Sequence, residues 1–156
     1  MWRYLWIAGF VFVFDQLTKY IVADYLLQHG DVLLTPFLSL VLVHNTGAAF
    51  GFLSSAGGWQ NIFFIIIAGA ASAFILWMIR RLDSKERLLA IALMLVLGGA
   101  LGNLTDRLLH GYVIDFIDVY YGSWHWPAFN VADSAITIGA IILVLDALQP
   151  ASRKTR

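Results

Sequence analysis

Two aspartates in the last third of the chain, Asp115 and Asp133, are the strongest candidates for chemistry. Both adjoin long apolar stretches, and no basic residue is left to neutralise them once Lys19 and Arg107 are assigned to nearer carboxylates. When two carboxyl groups share a poorly solvated site, one stays ionised while the other keeps its proton. That is the working state of an aspartic peptidase: one carboxylate takes a proton from the attacking water, and the other supports the developing oxyanion.

Asp118 is the alternative to Asp115. If the segment 113–119 is extended, successive side chains point to opposite faces, so Asp118 points away from Asp115. This alternation favours Asp115.

The other polar residues within apolar stretches fall at helical spacings. Asp15 and Lys19 are four residues apart with the acid first, the better order for an intrahelical ion pair. Asn103 shares one helix face with Asp106 and Arg107, and we expect the latter two to pair. These ion pairs either fix helix packing or support a site. Asn130 lies three residues before Asp133, where it could cap a helix.

Other chemistries have less support. The chain has no cysteine, which excludes disulfides, thiolate catalysis and cysteine-based metal sites. Its histidines are scattered and form no HExxH pattern, so no metal is expected. No GxSxG segment indicates a serine nucleophile. The four histidines are His29, His44, His110 and His125.

The composition is that of a membrane protein. Of 156 residues, 60% are hydrophobic and 13% are charged, whereas soluble domains are about 45–50% apolar and about 25% charged. Four stretches approach the ~20 residues that a membrane-spanning helix needs: 4–27, 59–79, 88–108 and 131–148. The sequence therefore predicts one integral membrane domain over 1–156, an all-α membrane protein with four transmembrane helices. Polar residues after the first apolar run, where small residues should stand, argue against a cleaved signal peptide.

The basic residues orient these helices. Eight of the ten flank the ends expected to be cytoplasmic, and the segments 28–58 and 109–130 contain none. Lysine and arginine are retained on the cytoplasmic side. Both termini are therefore predicted to be cytoplasmic and the two long segments external. This orientation brings Asp15, Asn103, Asp115 and Asp133 to the outer side, at a similar depth.

The external segments are predicted to be ordered. An apolar, β-type run interrupted by Pro36 indicates a small β-sheet. The segment 109–130 is rich in tyrosine and tryptophan, which favour the membrane–water interface, so an interfacial aromatic loop is expected on the outer face. Small residues one helical turn apart predict close helix packing. The three pairs are Gly98 with Gly102, Gly69 with Ala73, and Ala135 with Gly139.

Two other classes of protein remain open. An ion-coupled transporter also places acids within spans, but it should show a polar path to both faces. The inner halves of the second and third predicted spans are almost wholly apolar. A non-enzymatic assembly factor would tolerate Asp115→Asn, which a peptidase would not.

Over nearly its full length the chain resembles the prolipoprotein signal peptidases (signal peptidase II). Five segments carry the resemblance in order: DQLTK at 15–19, NTGAAF at 45–50, GGALGNLTDR at 98–107, VIDF at 113–116 and FNVAD at 129–133. No motif position departs from the family pattern.

The resemblance implies an intramembrane aspartyl endopeptidase of the bacterial cytoplasmic (inner) membrane. Such an enzyme removes the signal peptide of prolipoproteins just before a diacylglyceryl-modified cysteine, with its active site towards the outer face. The implied catalytic pair is Asp115 and Asp133, and no cofactor is expected. The implied partners are the diacylated prolipoprotein, membrane lipids and globomycin-type inhibitors, with no nucleic acid, and the protein is expected to be a monomer. The implied substrate- and inhibitor-binding residues are Asn45, Gly47, Asn103, Arg107 and Asn130, supported by Asp15, Lys19 and Asp106.

Overall fold

The computed structural model describes residues 1–47 and 58–148. Four α-helices and four β-strands make up this part of the chain, with a short 3-10 turn (Trp2–Tyr4) before the first helix. The helices are α1 (Leu5–His29), α2 (Trp59–Arg81), α3 (Arg87–His110) and α4 (Val131–Ala147). The strands are β1 (Val32–Thr35), β2 (Leu38–Asn45), β3 (Val113–Tyr121) and β4 (Trp124–His125).

The helices match the predicted spans within a few residues at each end. Three helical stretches are long and apolar enough to cross a membrane, namely Trp2–His29, Trp59–Arg81 and Arg87–His110. The fourth predicted span corresponds to α4, which has 17 residues. Within the described residues the fold is thus mostly helical, with a small sheet.

Exposure is inverted relative to a soluble protein. Trp6 is 68% exposed and Ile66 is 64% exposed, whereas Asp15 is 0% and Lys19 is 2% exposed. Apolar side chains cover the outside of the bundle and charged groups lie inside it. This distribution suits a lipid surround, in which an unpaired charge facing outward would be costly.

Helix α3 is central and packs against its neighbours through small residues. A Cβ on Gly98 would lie 2.7 Å from the Ala8 carbonyl oxygen of α1. A Cβ on Gly139 of α4 would lie 2.8 Å from the Ala92 oxygen of α3. These predicted packing positions are confirmed. The packing prediction for Gly69 with Ala73 is wrong for the described part of the chain, where nothing lies within 4 Å of a Cβ on Gly69.

The sheet is antiparallel, in the order β1-β2-β3-β4. As predicted, the β-type run is interrupted at Pro36, which lies between β1 and β2. Strand β2 places Asn45 opposite Val113 and Val43 opposite Asp115. The last residue of β2 is thereby held beside the start of β3, where Asp115 lies.

Two sequence predictions concern residues outside the described ranges. These are the end of the NTGAAF segment (48–50) and the basic residues near the C-terminus. The latter are Arg153, Lys154 and Arg156.

Candidate active site

Both predicted aspartates line one cavity of about 200 Å³. It lies where the C-terminal half of α3, the start of α4 and strands β2 and β3 meet. Side chains from five elements, α2, α3, α4, β2 and β3, therefore contribute to a single site, and its polar residues come together as expected from their depth. The lining residues are Asn45, Phe64, Asn103, Arg107, Val113, Asp115, Ala128 and Asp133.

Asp115 is 1% exposed and is held by two side-chain amides. Asn45 Nδ2 donates to Asp115 Oδ2 at 2.9 Å, and Asn130 Nδ2 donates to Asp115 Oδ1 at 2.7 Å. A carboxylate bonded on both oxygens cannot rotate without losing a bond, so its orientation is well defined.

Asp133 is oriented by the start of α4. Asn130 caps the helix, as predicted, by accepting from the Asp133 backbone N–H at 2.9 Å. Asp133 Oδ2 accepts in return from the Asn130 N–H at 3.3 Å, which completes a capping box. Asp133 Oδ1 accepts from Asn103 Nδ2 at 2.8 Å. Asn130 therefore contacts both carboxylates, one through its side chain and the other through its backbone.

The environment of Asp115 favours its protonated form. Burial raises the pKa of Asp115, the nearby Asp133 carboxylate raises it further, and the result is about 7. The hydrogen bonds from Asn45 and Asn130 and the positive charge of Lys19 lower the pKa without offsetting these effects. At neutral pH this carboxyl group is therefore close to half protonated.

Lys19 forms ion pairs with two other carboxylates. Its ammonium lies 2.8 Å from Asp15 Oδ2 and 2.9 Å from Asp106 Oδ2. The Asp15–Lys19 pair is thus confirmed, but the predicted pairing of Asp106 with Arg107 is wrong. Adjacent helical residues point in different directions, and Lys19 reaches Asp106 from α1 instead. The third donated bond of Lys19, at 2.9 Å, goes to Asn103 Oδ1.

The supporting carboxylates tie the helices to the site. Asp15 Oδ1 accepts from the Ala132 N–H at 2.8 Å, which attaches α1 to the first turn of α4. Asp106 Oδ2 accepts from the Ile114 N–H at 3.0 Å, next to Asp115. Gln16 also belongs to this network, because its Nε2 donates to Asp106 Oδ1 at 2.8 Å. Sequence reasoning did not assign Gln16 to the site, although a glutamine within an apolar helix was an available signal.

Arg107 faces the cavity rather than Asp106. Its Nη2 donates to the Gly47 carbonyl at 2.9 Å, and its guanidinium lies 4.9 Å from the ring centroid of Phe64. Gly47 also donates its N–H to Asn45 Oδ1 at 3.0 Å. Arg107 Nε is buried without a hydrogen-bond partner, so one donor beside the cavity remains available. Phe64 was not foreseen, because an apolar residue in an apolar helix carries no signal of its own.

Asp118 does not line the cavity. It accepts from Ser39 Oγ at 2.9 Å, and His125 Nδ1 lies 2.9 Å from Asp118 Oδ2. The predicted alternation along β3 is therefore confirmed. Among the described residues, no group of three or more His, Asp or Glu side chains is arranged to hold a metal ion.

Together the fold and the site define a helical membrane protein with a buried carboxylate-bearing pocket at one end of its bundle. The chain belongs to the signal peptidase II family, whose profile matches residues 7–149, and it is therefore a peptidase.

Proteins named lipoprotein signal peptidase are similar to this chain along most of its length. The protein from Alteromonas mediterranea is 48% identical and aligns with 98% of this chain and 84% of its own length. The protein from Pseudoalteromonas atlantica is 50% identical over 92% of this chain and 88% of its own length.

Two solved structures, both described as bacterial membrane enzymes, share the fold. One has a TM-score of 0.84 and 36% identity, covering 95% of this chain and 88% of its own. The other has a TM-score of 0.80 and 33% identity, covering 97% and 96%.

Proposed function

We propose that this chain is an aspartic endopeptidase that removes the signal peptide from prolipoproteins, cutting just before a diacylglyceryl-modified cysteine. The observation that carries the proposal is the shared cavity of Asp115 and Asp133, with Asn130 bonded to both carboxylates. Membership of the signal peptidase II family supports the substrate class.

The chemistry proceeds through one proton shared by the pair. In this proposal Asp115 holds the proton in the reactive state, since a pKa of about 7 leaves a large protonated fraction at neutral pH. In this proposal Asp133 is the ionised member, because the positive N-terminal end of α4 favours a negative charge in its first turn. Asp133 takes a proton from a water molecule as the water oxygen attacks the scissile carbonyl carbon. Asp115 gives its proton to the carbonyl oxygen as the tetrahedral intermediate forms.

Collapse of that intermediate returns the proton on the former carbonyl oxygen to Asp115, re-forms the carbonyl group and breaks the bond from its carbon to nitrogen. The amine of the lipidated cysteine leaves with the proton that Asp133 took up. The two carboxyl groups therefore titrate as a pair, and the pKa values seen in the activity describe the pair rather than one residue.

Arg107, Asn103, Asn45 and Gly47 form the binding side of the cavity in this proposal. The unpartnered Nε of Arg107 would donate to a peptide carbonyl or a lipid ester oxygen. Globomycin-type cyclic lipopeptides would occupy the same space and inhibit cleavage. No metal or organic cofactor takes part.

We further propose that α4 is a fourth membrane-spanning helix, with both termini in the cytoplasm and the sheet on the outer face of the cytoplasmic membrane. The apolar exterior of the bundle and the clustering of basic residues at one end support this orientation. The scissile bond then stays near water, while the substrate's acyl chains remain in the bilayer. We propose that the protein acts as a monomer; one chain supplies all the proposed catalytic groups.

The test is cleavage of a purified diacylated prolipoprotein in detergent. Asp115→Asn and Asp133→Asn should each lower the cleavage rate by roughly a thousandfold or more, and the double variant should be hardly worse, because the two act as one unit. Asp118→Asn is the matched control and should keep most activity, since Asp118 lies outside the cavity. Near-normal cleavage by either single dyad variant would refute the proposed mechanism.

A further inference from the structure

A second cavity, of about 480 Å³, lies at the end of the molecule opposite the proposed active site. It is bounded by the 3-10 turn before α1 and by the turn that joins α2 to α3. The 24 residues of α3 separate the two ends by about 35 Å. The lining residues are Met1, Trp2, Arg3, Leu82 and Ser84.

This end of the molecule carries an excess of positive charge. Among the described residues, none of its basic side chains lies within salt-bridge distance of a carboxylate. Three acidic residues lie at this end, Asp83, Glu86 and Asp146, and Glu86 Oε2 accepts from the Asp83 backbone N–H at 2.8 Å. The basic residues are Arg3, Arg80, Arg81, Lys85 and Arg87.

Aromatic rings hold one arginine in the lining of the cavity and a second beside its wall. The guanidinium of Arg80 lies 5.8 Å from the ring centroid of Trp2, which forms part of the cavity wall. Arg3 lines the cavity and donates to Tyr4 Oη at 3.2 Å. An arginine over an aromatic ring keeps N–H groups free for a planar, two-pronged contact with a phosphate. Tryptophan and tyrosine are also typical of the headgroup level of a membrane.

We propose that this cavity binds the phosphodiester headgroup of an anionic glycerophospholipid from the adjoining leaflet. Arg3 and Arg80 contact the phosphate, and Trp2 and Leu82 contact the glycerol and the first methylene groups of the acyl chains. A zwitterionic headgroup offers the same phosphate but adds a cation, which the excess positive charge repels. The site should therefore prefer phosphatidylglycerol to phosphatidylcholine.

Native mass spectrometry of the detergent-purified protein, titrated with each lipid, tests this proposal. Arg3→Gln and Arg80→Gln should each weaken phosphatidylglycerol binding about fivefold, and Arg3→Lys should retain more of it. Arg81→Gln is the matched control. It removes the same charge from the same end, but the Arg81 guanidinium lies 4.7 Å from the Trp77 ring rather than over Trp2.

Three results would overturn the proposal: equal losses in Arg80→Gln and Arg81→Gln, no preference between the two lipids, or displacement of the lipid by inorganic phosphate at comparable concentration. Either of the first two results would indicate diffuse electrostatic attraction between the lipid and this end of the protein. The third would indicate a site for any small anion rather than for a lipid headgroup. Melting temperature and peptide cleavage should be unchanged in all these variants, because the residues lie far from the active site. Lipid binding is measured without cleavage, so its outcome is independent of the proposed peptidase mechanism.

Discussion

Lys19 Nζ donates to Asn103 Oδ1 at 2.9 Å and Asn130 Nδ2 donates to the same oxygen at 3.2 Å, and together these contacts decide which side of the Asn103 amide faces Asp133. With its oxygen held by the ammonium, Asn103 must present its NH₂ group to the carboxylate, as the 2.8 Å bond from Nδ2 to Asp133 Oδ1 requires. A lysine one helix away thereby orients a proposed catalytic group that it does not touch.

Replacing Lys19 should therefore affect both stability and activity. In Lys19→Met, Asp15 and Asp106 become buried carboxylates without a counter-ion, which costs about 3–5 kcal/mol. Thermal denaturation in detergent should show a large loss of stability. The triple variant Asp15→Asn/Lys19→Met/Asp106→Asn carries no unpaired charge and should recover much of this stability, but not the full cleavage rate, because Asn103 Oδ1 keeps only the longer of its two donated bonds, the one from Asn130. A triple variant as unstable as Lys19→Met would show that the ion pairs are not what stabilises this region.

The Asp115 pKa predicts how stability varies with pH. Its folded-state pKa of about 7 lies above the ordinary value of 3.8, so between these values the native state binds more protons than the unfolded state. The contribution of Asp115 to stability is therefore greatest at low pH and falls as pH rises through this window. Asparagine does not titrate. The melting temperature of Asp115→Asn, relative to the wild type, should rise between about pH 5 and about pH 8. A constant difference would contradict the raised pKa.

Arg107→Lys tests whether the planar guanidinium group, with its several N–H donors, is needed at the cavity. Lysine keeps the charge but cannot contact the Gly47 carbonyl, lie over Phe64 and retain a free donor together, so cleavage should slow by about tenfold or more. Phe64→Leu removes only the ring under the guanidinium and should cost less. If lysine supports full activity, a point charge is sufficient at this position.

Gly98 and Gly69 form a matched pair for testing the packing. A methyl group on Gly98 would lie 2.7 Å from both the Ala8 oxygen and Val11 Cβ, so Gly98→Ala should destabilise the protein by about 1–3 kcal/mol. The same change at Gly69 meets none of the described residues within 4 Å and should be neutral or slightly stabilising, because alanine favours helix. Equal melting temperatures for the two variants would contradict the α1–α3 interface.

The proposed orientation can be tested by cysteine labelling, since the chain has no native cysteine. Ser123 lies exposed between β3 and β4, and Ser84 lies exposed between α2 and α3. In intact cells a membrane-impermeant thiol reagent should label Ser123→Cys but not Ser84→Cys, because the basic residues around Ser84 resist translocation. The reverse pattern would place the active site in the cytoplasm, where it could not process exported lipoproteins.

The sequence by itself determined the elements and the candidate pair. The positions of the helices followed from the lengths of the apolar stretches, because a helix needs a minimum number of apolar residues to cross a bilayer. The hairpin followed from a β-type run broken by proline, and the capping role of Asn130 from its spacing to Asp133. Asp115 was preferred to Asp118 by strand alternation alone, since side chains on a strand must alternate between faces.

Only the tertiary structure decided which polar groups become partners. Sequence spacing favoured Asp106 with Arg107, yet Lys19 of α1 bonds Asp106, and this leaves Arg107 to face the cavity. The contacts of Gln16 with Asp106, of Phe64 with Arg107 and of Asn103 with Lys19 join different helices. Spacing along one helix reports only neighbours on that helix, whereas these pairs depend on how the helices approach one another. That approach is set by small residues such as Gly98, which allow α1 and α3 to come close enough for Lys19 to reach across.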